Sequence, residues 1–139
     1  MVRQARPASA NTRFALDLPI IVEAGSLMAE KALVTGFEPY AGHRLNPSAK
    51  LAAALDGAEI AGHVVVGRCI PVAFAGLAKH IDTMLAEVEP TLVIALGLHP
   101  GESMIRLERF GVNLADFAIP DNAGVRLRNT PVEPGGAAK

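Results

Sequence analysis

From Leu92 to Leu98 the chain carries no polar side chain. The run is the length of a strand and far short of the roughly 20 residues that span a bilayer. A strand that is apolar at every position, rather than at alternate ones, has both faces covered, as in a parallel sheet with helices on either side. The flanking sequence should therefore supply helices. Immediately upstream, Phe74, Leu77, Ala78, Ile81, Leu85 and Val88 recur at helical spacing. They predict a helix over residues 73–88, closed by Pro90.

The same grammar extends back toward the amino end. Residues 31–35 (KALVT) read as a short apolar strand running into a loop, GFEPYAGHRLNP. Asn46-Pro47 reads as a helix start, because asparagine can cap free N–H groups and proline suits the first turn. That helix is predicted over residues 47–55, ending near Gly57. Residues 63–71 (HVVVGRCIP) predict a second strand, residues 91–97 a third, and residues 104–108 a fourth. Beyond Asp116 the chain is rich in Pro, Gly, Asn and Asp and is predicted to be mostly loop. Strand, helix, strand, helix, strand is the order of an α/β fold with a parallel sheet. Connections of one hand would place both helices on one face unless the strand order reverses. Either way much of the sheet is left bare, so a continuation past Lys139 or a partner is expected to cover it.

Composition narrows the function. A chain of 139 residues can hold one domain with a core, and with only 4% aromatic residues that core must be mostly Val, Leu, Ile and Ala. The net charge is −1 and no basic cluster tracks phosphates, so nucleic acid is not an expected partner, nor is a membrane. The GxGxxG dinucleotide pattern is missing after the first strand. Cys69 is the one cysteine, so no internal disulfide can form, which fits a reducing, cytoplasmic setting. Its place in VVVGRCIPV predicts a buried structural thiol. The four histidines are scattered and suggest neither a metal site nor a cofactor. Residues 1–30 differ from the rest: Arg3, Arg6 and Arg13 sit among Pro, Ala, Ser and Asn. They read as an upstream extension, with Met28 as the natural beginning. The α/β domain is assigned to residues 31–139.

Several segments, taken together, carry a resemblance. They are Val34-Thr35-Gly36-Phe37-Glu38-Pro39-Tyr40, Asn46-Pro47, and Gly97-Leu98-His99-Pro100-Gly101-Glu102-Ser103. Leu107-Glu108-Arg109-Phe110-Gly111-Val112-Asn113 follows and leads to Ile119-Pro120-Asp121-Asn122. In this order and spacing the chain resembles pyroglutamyl peptidase I, also called pyrrolidone-carboxylate peptidase, over residues 31–136. Any one segment is weak evidence; their common register is strong.

The resemblance implies an open, mostly parallel sheet with flanking helices, a phosphorylase/hydrolase-like three-layer sandwich. It implies a cysteine peptidase that removes N-terminal pyroglutamyl residues from peptides through a Cys–His–Glu arrangement. A thiol needs an imidazole to take its proton, and a carboxylate to orient that imidazole. By resemblance Glu108 is the catalytic glutamate, Phe37 and Tyr40 line the lactam pocket, and Asn46 hydrogen-bonds near the ligand. A flat lactam suits apolar ring faces, and the Tyr40 hydroxyl would sit at the rim. On the residues alone, Glu108 would be an ordinary exposed charge, Phe37 and Tyr40 core packing at a strand end, and Asn46 a helix cap. The family's nucleophilic cysteine and its histidine lie in later segments not present among these residues, and Cys69 matches neither. The chain is therefore expected to be a C-terminally truncated, inactive part of such an enzyme. Family members commonly form homo-oligomers, so self-association is implied for a complete chain. Ala118, where many members carry arginine, and Glu102, in place of a usual arginine, are departures that bear on substrate preference. Two other readings stay open: a non-catalytic chain that associates through its uncovered sheet face, and a nucleoside phosphorylase-like enzyme on the same kind of fold.

Overall fold

The computed structural model describes residues 29–137. The expected extension and the candidate start at Met28 lie, apart from residues 29 and 30, outside the described residues. The elements are β1 (Glu30–Phe37), α1 (Pro47–Leu55), β2 (Glu59–Ile60), β3 (His63–Ile70), α2 (Leu77–Val88) and β4 (Leu92–Ala95). They build one open sheet in the order β2-β3-β1-β4. β1 runs parallel to β3, from Glu30 opposite His63 to Phe37 opposite Ile70, and parallel to β4, from Ala32 opposite Leu92 to Thr35 opposite Ala95. The expected α/β class holds.

The strand order reverses at β1. The chain passes from β1 to β3 on one side, then crosses back to β4 on the other. Crossovers of one hand in opposite directions place their helices on opposite faces, and the core has that form. Leu33 and Ile70 pack with Met84 and Val88 of α2. Val34 and Val65 pack with Ala52 of α1. Neighbouring residues of one strand point to opposite faces, so Leu33 and Val34 divide between the two helices. Leu33 is the most enclosed large side chain at 1% exposure, and its burial stabilises the fold by about 2 kcal/mol.

The helices sit on their faces differently. A Cβ on Gly36 would collide with the Ser48 carbonyl, and one on Gly67 with the Ala52 carbonyl. The backbone of α1 thus rests directly on two glycines. Its start follows from sequence as expected: Asn46 has extended geometry and its Oδ1 accepts the Ser48 N–H at 3.1 Å, with Pro47 beginning the helix. The opposite face receives the larger side chains of α2.

Several expectations are corrected. α2 begins at Leu77, not at residue 73, because Gly76 adopts a left-handed φ of 79°, which breaks the helical backbone just ahead of it. Its end at Val88 is as expected; Glu89, also left-handed, caps it by donating its N–H to the Leu85 carbonyl at 2.9 Å, one residue before Pro90. Residues 104–108 form no strand; among the described residues they pair with no neighbour, and Ile105 and Leu107 are 95% and 89% exposed. The short strand β2, not anticipated, turns back onto β3 through Ala61 and Gly62, both at positive φ. The apolar strand β4 is not covered on both faces: it forms the sheet edge, and Leu92, Val93 and Ile94 are 44%, 49% and 43% exposed. Cys69 is exposed rather than buried. α1 slants from Gly36 toward Gly67, which leaves Cys69, at the outer end of β3, uncovered. The loop expected beyond Asp116 is present, pinned by an isolated bridge between Ala115 and Thr130.

Candidate functional site

In open α/β sheets the carboxyl ends of the strands near a reversal of strand order form a natural crevice. β1 ends at Phe37, and its loop carries Tyr40. β3 ends at Ile70 and leads through Val72 to Phe74. A cavity of about 680 Å³ opens here, and Phe37, Tyr40, Val72, Phe74, Phe117 and Ile119 are among its walls. Phe74 and Phe117 meet edge to face, with ring centroids 5.9 Å apart and an interplanar angle of 67°, a favoured aromatic arrangement. The Tyr40 hydroxyl donates to the Leu98 carbonyl at 3.0 Å, tying the β1 loop to the loop after β4. The lining is chiefly apolar, with Tyr40, His99, Asp116 and Asp121 as its ionisable members. Such a space suits a flat, uncharged ring.

Three segments without regular structure meet around this cavity, and polar side chains hold them. Glu38 Oε1 accepts the Val72 N–H at 3.0 Å and the Asn122 side-chain amide at 2.8 Å. That amide also donates to the Pro39 carbonyl at 2.9 Å, and the Asn122 backbone N–H donates to the Val72 carbonyl at 2.8 Å. Asp121 Oδ2 accepts the Phe74 N–H, while its Oδ1 accepts the N–H groups of Ala123 and Val125 at 3.0 and 2.8 Å. The Phe74 N–H, then those of Val125 and Ala123, hold the Asp121 carboxyl below its ordinary value against a smaller opposing effect of burial.

The residues singled out from sequence do not all meet. Phe37 and Tyr40 share the cavity. Asn46 does not line it. Its Nδ2 donates to the Glu38 carbonyl at 3.1 Å, and its Oδ1 accepts both the Ser48 N–H and the Ser48 hydroxyl, so the buried side chain is a cap and a brace for the β1 loop. Glu108 is exposed and lines a second concavity, of about 740 Å³, between β4 and residues 102–108. His99 borders both spaces. Glu102, one of the departures, pairs with Arg106. Among the described residues no cluster of His, Cys, Asp or Glu could hold a metal ion, and no helix is long and apolar enough to cross a membrane. Sequence reasoning missed Phe74 and Phe117 as cavity walls and Glu38, Asp121 and Asn122 as fasteners. The signal for the last two was present as the segment Ile119-Pro120-Asp121-Asn122, which had no role attached.

Known proteins resemble this chain closely. The family model for pyroglutamyl peptidase matches residues 30–139. A pyrrolidone-carboxylate peptidase of Pyrococcus furiosus is 43% identical over 105 residues, covering 76% of this chain and 50% of the relative. One from Mycobacterium bovis is 42% identical over 109 residues, covering 76% and 49%. A crystal structure of a mutant pyrrolidone carboxyl peptidase from P. furiosus superposes with a TM-score of 0.75 at 42% identity, over 78% of this chain and 52% of that one. The chain spans about half the length of the curated relatives it matches.

Proposed function

The chain belongs to the pyroglutamyl peptidase family, and on that premise we propose that it supplies the lactam-binding part of a cysteine peptidase that removes N-terminal pyroglutamyl residues from peptides. One observation carries this reading: an apolar cavity with Phe37 and Tyr40 in its walls, at the carboxyl end of the strand next to the reversal of strand order. A lactam ring packs against aromatic faces there, and its amide edge remains free to meet backbone groups.

In the reaction proposed, a thiolate attacks the carbonyl carbon that joins the lactam to the next residue. The carbon–nitrogen bond breaks, the amine leaves with a proton from the imidazolium, and water hydrolyses the acyl-enzyme. Glu108 would orient the imidazole. Its concavity is open in the described residues, which suits a group supplied by other parts of a family domain. Cys69 is not the nucleophile: it lies on β3 and lines neither cavity. Residues 1–139 by themselves are expected to be inactive. A reducing, cytoplasmic setting suits a peptidase that depends on a free thiol.

The test is an assay with a fluorogenic pyroglutamyl amide. The chain alone should give no turnover. Mixed with the C-terminal half of the P. furiosus relative, it should give turnover that Glu108→Gln removes. A stable mixed complex with no turnover would sink the peptidase reading.

A second reading, a non-catalytic chain that associates through its sheet, is favoured by the exposure of Leu92, Val93 and Ile94. Sedimentation of the chain with and without Val93→Lys separates the two. Self-association lost in the variant supports this reading, and a monomer in both cases removes it.

A further inference from the structure

The segment Ile119-Pro120-Asp121-Asn122 has no part in the chemistry above, and neither does the Glu38 side chain. Both sit where the walls of the cavity join. The cavity has one wall from the β1 loop, one from the β3 loop and one from the irregular segment that includes Phe117 and Ile119. Among the described residues no helix or strand ladder connects the third wall to the other two. What connects them is Glu38 Oε1 between Val72 and Asn122, Asn122 between Pro39 and Val72, and Asp121 on Phe74. Residues 38 and 122 are 84 positions apart in the chain, yet they form the shortest of the contacts to Glu38, at 2.8 Å.

We infer that Glu38, Asp121 and Asn122 form a clamp that sets the width of the cavity, and that they thereby act as positioning residues for ring size in the lactam. This rests on the lactam-binding reading given above. The physical basis is the stiffness of the fastening. A single Glu38 oxygen takes two bonds at once, and each bond here ends on backbone or on a side chain fixed at its other end. A wall held this way resists outward movement by the width of a methylene. A wall held only by apolar contact from Phe117 to Phe74 could shift to admit one.

The clamp has a specific chemical signature. A single oxygen of Glu38 takes both bonds. Glu38→Gln retains a carbonyl oxygen and should retain the clamp, whereas Glu38→Ala removes it. Asn122→Ala removes the same fastening from the exposed side and serves as a second route should Glu38→Ala fold poorly.

The experiment uses the whole chain and two measurements. Amide hydrogen exchange of Val72 without ligand reads the clamp itself. NMR titration with pyroglutamyl-alanine and with its homologue bearing a six-membered lactam reads ring selection. The wild-type chain should prefer the five-membered ring by about tenfold, the usual discrimination for one methylene in a fitted pocket. Glu38→Ala and Asn122→Ala should speed exchange at Val72 and bring the two ligands to near-equal affinity, while Glu38→Gln keeps the preference. Faster exchange with an unchanged preference would overturn the inference and leave the lactam reading standing. Loss of preference in Glu38→Gln as large as in Glu38→Ala would also overturn it, since a general loosening would then explain both. A wild-type chain that binds neither ligand would remove the lactam reading itself, and the inference with it.

Discussion

The hydroxyl of Tyr40 is bonded to the carbonyl of Leu98, 3.0 Å away and 58 residues later in the chain. The bond joins the loop after β1 to the loop after β4, and Tyr40 also lines the cavity.

Tyr40→Phe should therefore lower stability by about 1 kcal/mol, the usual net worth of one hydrogen bond, and leave the ring face in place. Urea denaturation gives the stability change, and titration with pyroglutamyl-alanine gives the binding. A variant as stable as the parent would show that the bond contributes nothing. A variant that lost binding altogether would show that the hydroxyl contacts the ligand after all.

The seat of α1 makes a second, sharper forecast. A methyl group on Gly67 must displace the helix backbone at Ala52, and one on Gly36 must displace it at Ser48. Backbone cannot step aside as a side-chain tip can. Gly67→Ala should cost about 3 kcal/mol, at the upper end of overpacking penalties. Gly97→Ala meets nothing within 4 Å and should change stability by less than about 0.5 kcal/mol. Comparable denaturation midpoints for the two would refute the close seating of α1.

Asp121 gives the chain a predictable acid limb. Its carboxyl is held below the ordinary value of 3.8, first by the Phe74 N–H and then by that of Val125. A group whose folded pKa is lowered adds stability that is fully present above its unfolded value and fades as pH falls through the folded one. Below that point both states are protonated and the contribution is gone. Asp121→Asn should be less stable than the parent near neutral pH and should approach it in strong acid. Melting temperatures across the acid range measure this, and parallel curves for the two proteins would refute it.

Cys69 should behave as an accessible thiol. It is exposed at the uncovered end of β3, so a disulfide reagent should titrate one equivalent in the native chain, with no lag for unfolding. The labelled chain should still bind pyroglutamyl-alanine, because Cys69 lines neither cavity. Protection of the thiol until denaturant is added would contradict its placement.

Local signals in the sequence were enough to settle the α/β class, the order of the main elements and the start of α1. Asn46-Pro47 declares a helix through backbone chemistry alone, and the spacing from Leu77 to Val88 declares the apolar face of another. The aromatic pair Phe37 and Tyr40 stood out only through the family resemblance; on local signals alone they read as core packing at a strand end. Tertiary structure decided the rest. Whether the helices lie on one face or two depended on the strand order, which residues 31–97 do not encode by pattern. α2 lost its first turn because Gly76 takes a left-handed φ of 79°, a conformation that the apolar spacing over residues 73–88 does not signal. Residues 104–108 have strand-like composition but no neighbour to pair with, and a strand is a property of two segments rather than one. Asn46 was legible as a cap, but its second bond, from Nδ2 to the Glu38 carbonyl, exists only in the folded chain. The fastening of Glu38 to Asn122 was invisible for the same reason. A hydrogen bond between residues 84 apart leaves no periodicity; it exists only once the sheet has brought the ends of β1 and β3 together beneath the returning loop.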